Sequence, residues 1–165
     1  MAHDFAGGIS GWDFEGFHQG GDTECWKRLG AHVIDVADDE RGTVTGTRFT
    51  VWAPNARSVQ VIGDFNGGHG DEMRLIPGSG VWGRFIEGLT TGTLYKFRIE
   101  GPDGVWREKA DPMARFCESA PSTASIVYES EYVWDDSDWM TKRVNAHAHA
   151  EPMSIYEVHL NSWRK

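Results

Sequence analysis

Apolar and polar residues alternate along short segments between residues 47 and 107, with the period of two that marks strands with one buried face. In the first segment, Phe49 and Val51 fall on one predicted face, and Arg48, Thr50 and Trp52 fall on the other. β-Branched and aromatic residues are frequent in these segments, which also favours strands. The predicted strands are 47–53, 59–65, 73–75, 81–86, 95–99 and 105–107.

Turn-forming residues separate the predicted strands. Pro54-Asn55, the stretch 77–80 (PGSG) and the stretch 102–104 (PDG) are explicit turn signals. Short strands at this spacing predict a mainly β fold, an immunoglobulin-like antiparallel β-sandwich over residues 22–128. A small Greek-key barrel is the alternative for the same pattern.

The segments that flank this region have different patterns. Residues 1–21 show neither period, and we expect a flexible extension there. Residues 23–29 predict one or two helical turns, capped by Thr23 and stopped by Gly30. Residues 129–153 are acidic and polar and are interpreted as a linker, whereas residues 154–160 are apolar on both faces, as in the buried strands of parallel sheets.

Charge and composition narrow the possible partners. The formal net charge is −9, so the chain would repel a nucleic-acid backbone but is compatible with a neutral ligand such as a sugar. No apolar run reaches about 20 residues, so no membrane span is expected. The N-terminus lacks the pattern of a signal peptide, and Cys25 and Cys117 stand far apart, as in a reduced cytoplasmic protein.

Three stretches carry a resemblance to a known family: GTRFTVWAPNARSVQVIGDFN (46–66), LYKFRIEGPDG with the later KADP (94–112), and SIYEVHLNSWRK (154–165). Together they resemble the sandwich module and the start of the barrel in glycogen (1,4-α-glucan) branching enzymes of the α-amylase superfamily. LGAH at 29–32 and the SWR that follows YEVHL at 156–160 are similar to branching enzymes in particular, although Asn161 stands where they usually have Gly. The resemblance implies a carbohydrate-binding (CBM48-type) module, with residues 154–165 as the first strand of a (β/α)8 barrel.

The resemblance also implies a function. The parent protein is expected to be a retaining glycosyltransferase of glycogen biosynthesis, which cleaves α-1,4-glucan and transfers the chain to a 6-hydroxyl. This chain contains none of the family's catalytic motifs, so we expect no catalytic residue, cofactor or metal in it. The expected partners are α-glucan, bound weakly, and the parent's own barrel. The alternatives are the module of a debranching or trehalose-forming hydrolase, or a free-standing glycogen-binding module.

The sugar-binding residues implied by the resemblance are Lys96, Trp106 and Thr123, which match polar and aromatic ligands of related glycogen-binding modules. In those modules a Trp usually follows the FN motif within a few residues, and here the stretch after Asn66 reads GGHG. One stacking platform is therefore missing from this position. We expect weak binding that depends on Trp106, the alternative being that Trp106 packs against the barrel.

Other residues that could take part in chemistry have simpler interpretations. We interpret Asp135, Asp136 and Asp138 as a solvated loop, and His147 and His149 as surface residues. Glu157 and His159 are interpreted as structural residues of the last strand, and Trp52 and Trp82 as packing residues.

Overall fold

The structure is a computed structural model that describes residues 9, 11–144, 150, 152 and 154–163. The chain divides into two compact units, 1–130 and 131–165. The helices are α1 (Phe14–His18), α2 (Ser137–Val144) and α3 (Leu160–Trp163), with 3-10 helices at Cys25–Lys27 and Asp64–Asn66. The strands are β1 (Gly30–Asp38), β2 (Gly42–Trp52), β3 (Ser58–Ile62), β4 (Asp71–Glu72), β5 (Arg74–Leu75), β6 (Val81–Glu87), β7 (Leu94–Glu100), β8 (Trp106–Lys109), β9 (Phe116–Cys117) and β10 (Ser125–Ile126).

The strands of the first unit form two antiparallel sheets. The four-stranded sheet has the order β1-β2-β6-β5. The six-stranded sheet has the order β4-β3-β7-β10-β9, and β8 also pairs with β7. All pairings are antiparallel, so the prediction of a mainly β, antiparallel sandwich is confirmed.

The main core lies between the two sheets. Phe49 and Val51 of β2 pack with residues of the six-stranded sheet that are almost completely buried: Val59, Val61, Tyr95, Phe97 and Val127. The alternation predicted for these strands therefore places Phe49, Val51 and Val59 correctly in the core, but β3 ends at Ile62 and residues 64–66, predicted as strand, form a 3-10 helix. Residues that alternate with these on β7 face outward, which leaves Lys96 and Arg98 on the outer face of the six-stranded sheet.

The outer face of the four-stranded sheet is covered, in contrast to the expectation for residues 1–21. Ile9 and Trp12 are 3% and 7% exposed and form a second core cluster with Leu29 and Val81. The Trp12 indole donates to Asp22 at 2.7 Å and lies 4.8 Å from the ring of Phe17. The described part of this segment is thus packed rather than free; residues 1–8 and 10 lie outside the described part.

The connection into β1 is shorter than predicted. The helix expected at 23–29 is one 3-10 turn, Cys25–Lys27, and Glu24 rather than Thr23 occupies its N-cap position. Gly30 has φ of +95°, the left-handed conformation expected for it. This turn presents backbone carbonyls to β2, and Thr50 Oγ1 donates to the carbonyl of Arg28 at 2.8 Å.

The second unit contains two short helices. The predicted linker includes α2, which carries Asp138 in its first turn and Lys142 and Arg143 in its last. The strand predicted at 154–160 is absent from the described residues: 154–159 has no regular structure and Leu160–Trp163 is helical. A barrel strand forms hydrogen bonds to parallel neighbours. The assignment of residues 154–160 to such a strand therefore stays a prediction. None of the helices described is long and apolar enough to cross a membrane.

Candidate functional site

A depression of about 540 Å³ opens on the outer face of the six-stranded sheet. It lies where β8 and β10, which pair with different halves of the same edge of β7, diverge. Lys96 lies at this point, opposite Ile62 of β3. The charged residues that line the depression are Asp64, Lys96, Arg98, Glu108 and Glu118.

The charged groups at the rim are held by specific partners. Arg98 Nη2 donates to Glu108 Oε1 at 3.1 Å across the β7–β8 pair. Glu118 Oε2 accepts from the backbone N–H of Ala124 at 2.9 Å. The depression thus presents cationic donors and carboxylate acceptors side by side, which suits a ligand that carries many hydroxyl groups.

The loop after β3 borders one side of the depression. Asn66 holds it: its side-chain oxygen accepts from Gly63 N–H at 3.1 Å and its amide donates to the carbonyl of Val61 at 3.0 Å. Gly67 and Gly68 then follow with φ of +59° and +73°. Two successive left-handed residues disfavour any large side chain, so this loop geometry explains why no aromatic platform stands here.

Tyr95, which lines the depression, belongs to a buried polar network with Asp111 and Ser125. Tyr95, next to Lys96, donates its hydroxyl to Asp111 Oδ2 at 2.5 Å. The backbone N–H of Asp111 donates to Ser125 Oγ at 2.9 Å, which ties the end of β8 to β10. Burial raises the pKa of the Asp111 carboxyl, and burial together with that carboxyl raises the pKa of Tyr95.

The structure brings together some of the expected sugar-binding residues. Lys96 lines the depression and the exposed Thr123 adjoins Ala124, which also lines it. Trp106 pairs with Glu100, so along β7 it is displaced by four residues, or about 13 Å, from Lys96. Trp106 is 42% exposed and shares the outer face with Lys96, but Glu108 occupies the position on β8 nearer to the depression.

Sequence reasoning missed Arg98, Glu108 and Glu118. The period of β7 places Arg98 on the face of Lys96, so that signal was present in the sequence. Glu108 depends on the β7–β8 register, and Glu118 depends on the path of the β9–β10 connection. Neither of these can be read from a local pattern.

The two tryptophans expected to be packing residues have different environments. Trp82 is 8% exposed and donates to the carbonyl of Ala53 at 3.0 Å, as expected for a packed residue. Trp52 is 50% exposed; its ring makes an edge contact with Phe17 and lines an apolar cavity of about 310 Å³. The expectation is therefore only partly met for Trp52.

Among the described residues, those with possible metal or acid–base chemistry form no metal-binding cluster. No group of three or more His, Cys, Asp or Glu side chains that could hold a metal ion occurs in the part of the chain that the structure describes. Asp138 lies in the first turn of the exposed helix α2, and His159 Nδ1 lies 2.9 Å from Ser162 Oγ. His147 and His149 lie outside the described residues.

The comparison with protein families identifies the fold's relatives. The family described as Carbohydrate-binding module 48 (Isoamylase N-terminal domain) matches residues 28–114, more than half of the chain and most of the sandwich. The chain belongs to this carbohydrate-binding module 48 family. The matched range contains β1 to β8 and therefore Lys96, Arg98, Trp106 and Glu108, while β9 and β10 lie beyond it.

Individual branching-enzyme relatives match more than nine-tenths of the chain. The 1,4-alpha-glucan branching enzyme GlgB of Cutibacterium acnes is 65% identical over 99% of this chain and 26% of that protein. The enzyme of the same name from Rhodococcus jostii is 51% identical over 92% of this chain and 21% of that protein. A solved structure of a putative alpha amylase from Salmonella typhimurium has 26% identity and a TM-score of 0.49, over 67% of this chain and 16% of that one. The chain thus spans about a quarter of the length of the first of these relatives.

Proposed function

We propose that this chain is the carbohydrate-binding module of a 1,4-α-glucan branching enzyme. The support is the family match together with relatives of that name that are 65% and 51% identical over nearly the whole chain. The parent enzyme cleaves an α-1,4 bond, holds the glucan covalently on a carboxylate and transfers it to a 6-hydroxyl. The module contributes glucan positioning and support for the catalytic barrel, and the catalytic groups belong to the rest of the parent.

The proposed glucan site is the depression at Lys96, and its mixed rim of cations and carboxylates is the observation that carries it. Lys96 donates to sugar hydroxyls, Arg98 and Glu108 supply a fixed donor–acceptor pair, and Thr123 adds a contact at the edge. Trp106 offers a stacking surface about 13 Å further along the same sheet face. A glucan that lies along β7 can reach both.

Binding by the module alone is weak. The loop at Gly67 and Gly68 provides no ring for stacking, and an aromatic platform contributes on the order of a tenfold factor in affinity. The rim residues are also half-exposed, so their hydrogen bonds to sugar compete with water. We therefore expect a dissociation constant for maltoheptaose of about 1 mM.

Isothermal titration with maltoheptaose tests this proposal. The chain should bind maltoheptaose and not cellohexaose, and Lys96→Ala should weaken binding by about threefold to tenfold. Lys27→Ala is the matched control, because Lys27 is a half-exposed lysine whose backbone carbonyl accepts from Arg48 of the other sheet, and the substitution should leave binding unchanged. The site would be contradicted if no binding is measurable at a maltoheptaose concentration 20-fold above the expected dissociation constant of about 1 mM. Equal effects of the two lysine variants would also contradict it.

We also propose that the parent works in the cytoplasm. A separate proposal is that residues 154–160 form the first barrel strand when the parent's other strands are present. The stretch carries apolar residues on both faces, and Ile155, Tyr156 and Leu160 are strongly exposed in this chain. Hydrogen exchange on the parent enzyme and on this chain tests the strand assignment. Protection of Ile155–Leu160 amides only in the parent is the expected result, and equal exchange in both would refute it.

A further inference from the structure

Two exposed aromatic rings stand beside the depression and have no role in the site described so far. Phe116 of β9 is 53% exposed and Tyr128, just after β10, is 38% exposed. Their ring centroids are 5.6 Å apart, with a tilt of 40° between the planes. Burial of an exposed aromatic ring against an apolar surface is favourable, so the pair is suited to bind the apolar face of a ligand.

The register places this pair on the same sheet face as Lys96. Phe116 lies opposite Ile126, and Ile126 lies opposite Leu94 on β7. Leu94 and Lys96 are two residues apart and point the same way, so the rows differ by about 7 Å along the strand. Leu94 also lines the depression, and it shares one row across the sheet with Ile126 of β10 and Phe116 of β9.

The size of the ring pair indicates a small ligand. Two half-exposed rings offer on the order of 200 Å² of apolar surface. A stable protein–protein interface needs about 600–1,000 Å² from each partner, and charged residues border this patch rather than extend it. One of these is Glu118, which follows the Phe116 strand and lines the depression.

We infer that Phe116 and Tyr128 form an aromatic subsite that stacks one or two glucose units of an α-1,4-glucan continuing from the Lys96 depression. The inference rests on the proposed function of that depression. A pyranose ring has an apolar face that packs on an aromatic ring, while its hydroxyl groups reach polar neighbours. The rings replace, from the β9–β10 side, the platform that the left-handed loop at Gly67 and Gly68 lacks. A neutral sugar is also the ligand that a chain of net charge −9 accepts without electrostatic cost.

The test compares maltoheptaose and maltotriose binding by calorimetry in four forms of the 165-residue chain. These are the unaltered chain, Phe116→Ala, the double variant Phe116→Ala/Tyr128→Ala, and Leu75→Ala. Leu75 is the control because it is 45% exposed on the other sheet. Circular dichroism checks that each variant is folded, which is expected because all three side chains are exposed.

We expect Phe116→Ala to weaken maltoheptaose binding by about fivefold to tenfold and the double variant to weaken it further. Maltotriose is too short to span both the Lys96 depression and the ring pair. Its affinity should therefore be lowered by fewer of the substitutions than the affinity of maltoheptaose. If the unaltered chain and Leu75→Ala bind maltoheptaose and the Phe116 variants bind it equally well, this inference fails while the Lys96 site stands. If the unaltered chain does not bind, both fail.

A second copy of the chain is the competing occupant. Sedimentation without sugar should show the same monomer for the unaltered chain and for Phe116→Ala. A dimer that disappears in Phe116→Ala would assign the rings to a contact between copies and overturn the inference.

Discussion

Single buried polar residues tie neighbouring segments of the six-stranded sheet together. Asp111 is 5% exposed, accepts from the Tyr95 hydroxyl and from the backbone N–H of Met113, and its own N–H donates to Ser125. Since a buried carboxylate left without donors costs more than the bonds themselves contribute, each partner matters. In the sequence, Asp111 stands out only through the resemblance that the KADP motif carries. Its hydrogen-bond partners Ser125 and Tyr95 lie 14 and 16 residues away along the chain.

Replacing Tyr95 by Phe should destabilise the fold by about 1.5–3 kcal/mol, since it removes a hydrogen bond to a buried carboxyl. Tyr128→Phe removes a hydroxyl from an exposed ring and should change the unfolding free energy by less than about 0.5 kcal/mol. Urea unfolding of the two variants makes the comparison. Equal effects would show that the Tyr95–Asp111 bond does not stabilise the fold.

His32 makes stability depend on pH. The ring is 7% exposed, with Nε2 at 2.8 Å from the carbonyl of Leu29 and Nδ1 at 3.1 Å from Nη2 of Arg115. Since the guanidinium can only donate, Nδ1 accepts and Nε2–H donates, which is the neutral form. Burial lowers the pKa of His32 below 6.5, and Arg48 and Arg115 lower it further, against the opposing effects of Leu29 and Glu129.

The sign of the pH effect follows from that lowered pKa. On acidification the unfolded chain takes up the His32 proton first, so the unfolding free energy should fall as pH decreases below about 6.5. The contribution has a slope of at most about 1.4 kcal/mol per pH unit. We expect His32→Gln to remove this part of the slope between pH 6.5 and 5 in urea unfolding. An unchanged slope, or a His32 imidazole that titrates above 6.5 by NMR, would contradict the assignment.

At the scale of elements, part of the strands could be predicted, whereas β1, the first half of β2, β9, β10 and the segment before β1 could not. The stretches 47–52 and 95–99 alternate because one face meets the core, and they lie within β2 and β7. Helix α1 has five residues, too few to show a helical period, so its apolar residues gave no pattern. The aromatic residues of that segment were the available signal, since Trp12 and Phe17 pack although they belong to no long element.

The packing of the N-terminal segment can be tested at Trp12. Trp12→Ala should lower the unfolding free energy by about 3 kcal/mol, because it removes a buried indole together with its hydrogen bond to Asp22. Trp26→Ala is the control, since Trp26 is 50% exposed and should cost less than about 1 kcal/mol. Urea unfolding of both variants decides, and a Trp12 variant as stable as the Trp26 variant would mean that the segment is free.

At the scale of the whole molecule, the site depends on how the strands come together. Lys96 could be proposed from the sequence by resemblance, but its neighbours come from β8 and the β9–β10 connection, whose positions follow from strand pairing. The same pairing separates Trp106 from Lys96 by a distance that sequence spacing does not reveal. The proposed glucan site is therefore a product of strand pairing, which a local sequence pattern does not encode.

The purified chain should show no branching, hydrolytic or transfer activity. Retaining chemistry needs two carboxyl groups about 5–5.5 Å apart on either side of the scissile bond, and barrel loops supply them in this superfamily. Incubation with amylose, followed by iodine staining and reducing-end assays, should give no change over time. Activity that copurifies with the chain through two independent columns would refute this prediction.

Binding of α-glucan on the outer face of the six-stranded sheet can be tested by titration of the isotope-labelled chain with maltoheptaose, followed by amide chemical shifts. We expect progressive shifts concentrated in residues 94–98, 106–109 and 116–128, with little change in β1, β2 and β6. Shifts confined to the four-stranded sheet and the N-terminal segment, or none at 20 mM sugar against an expected dissociation constant of about 1 mM, would contradict it.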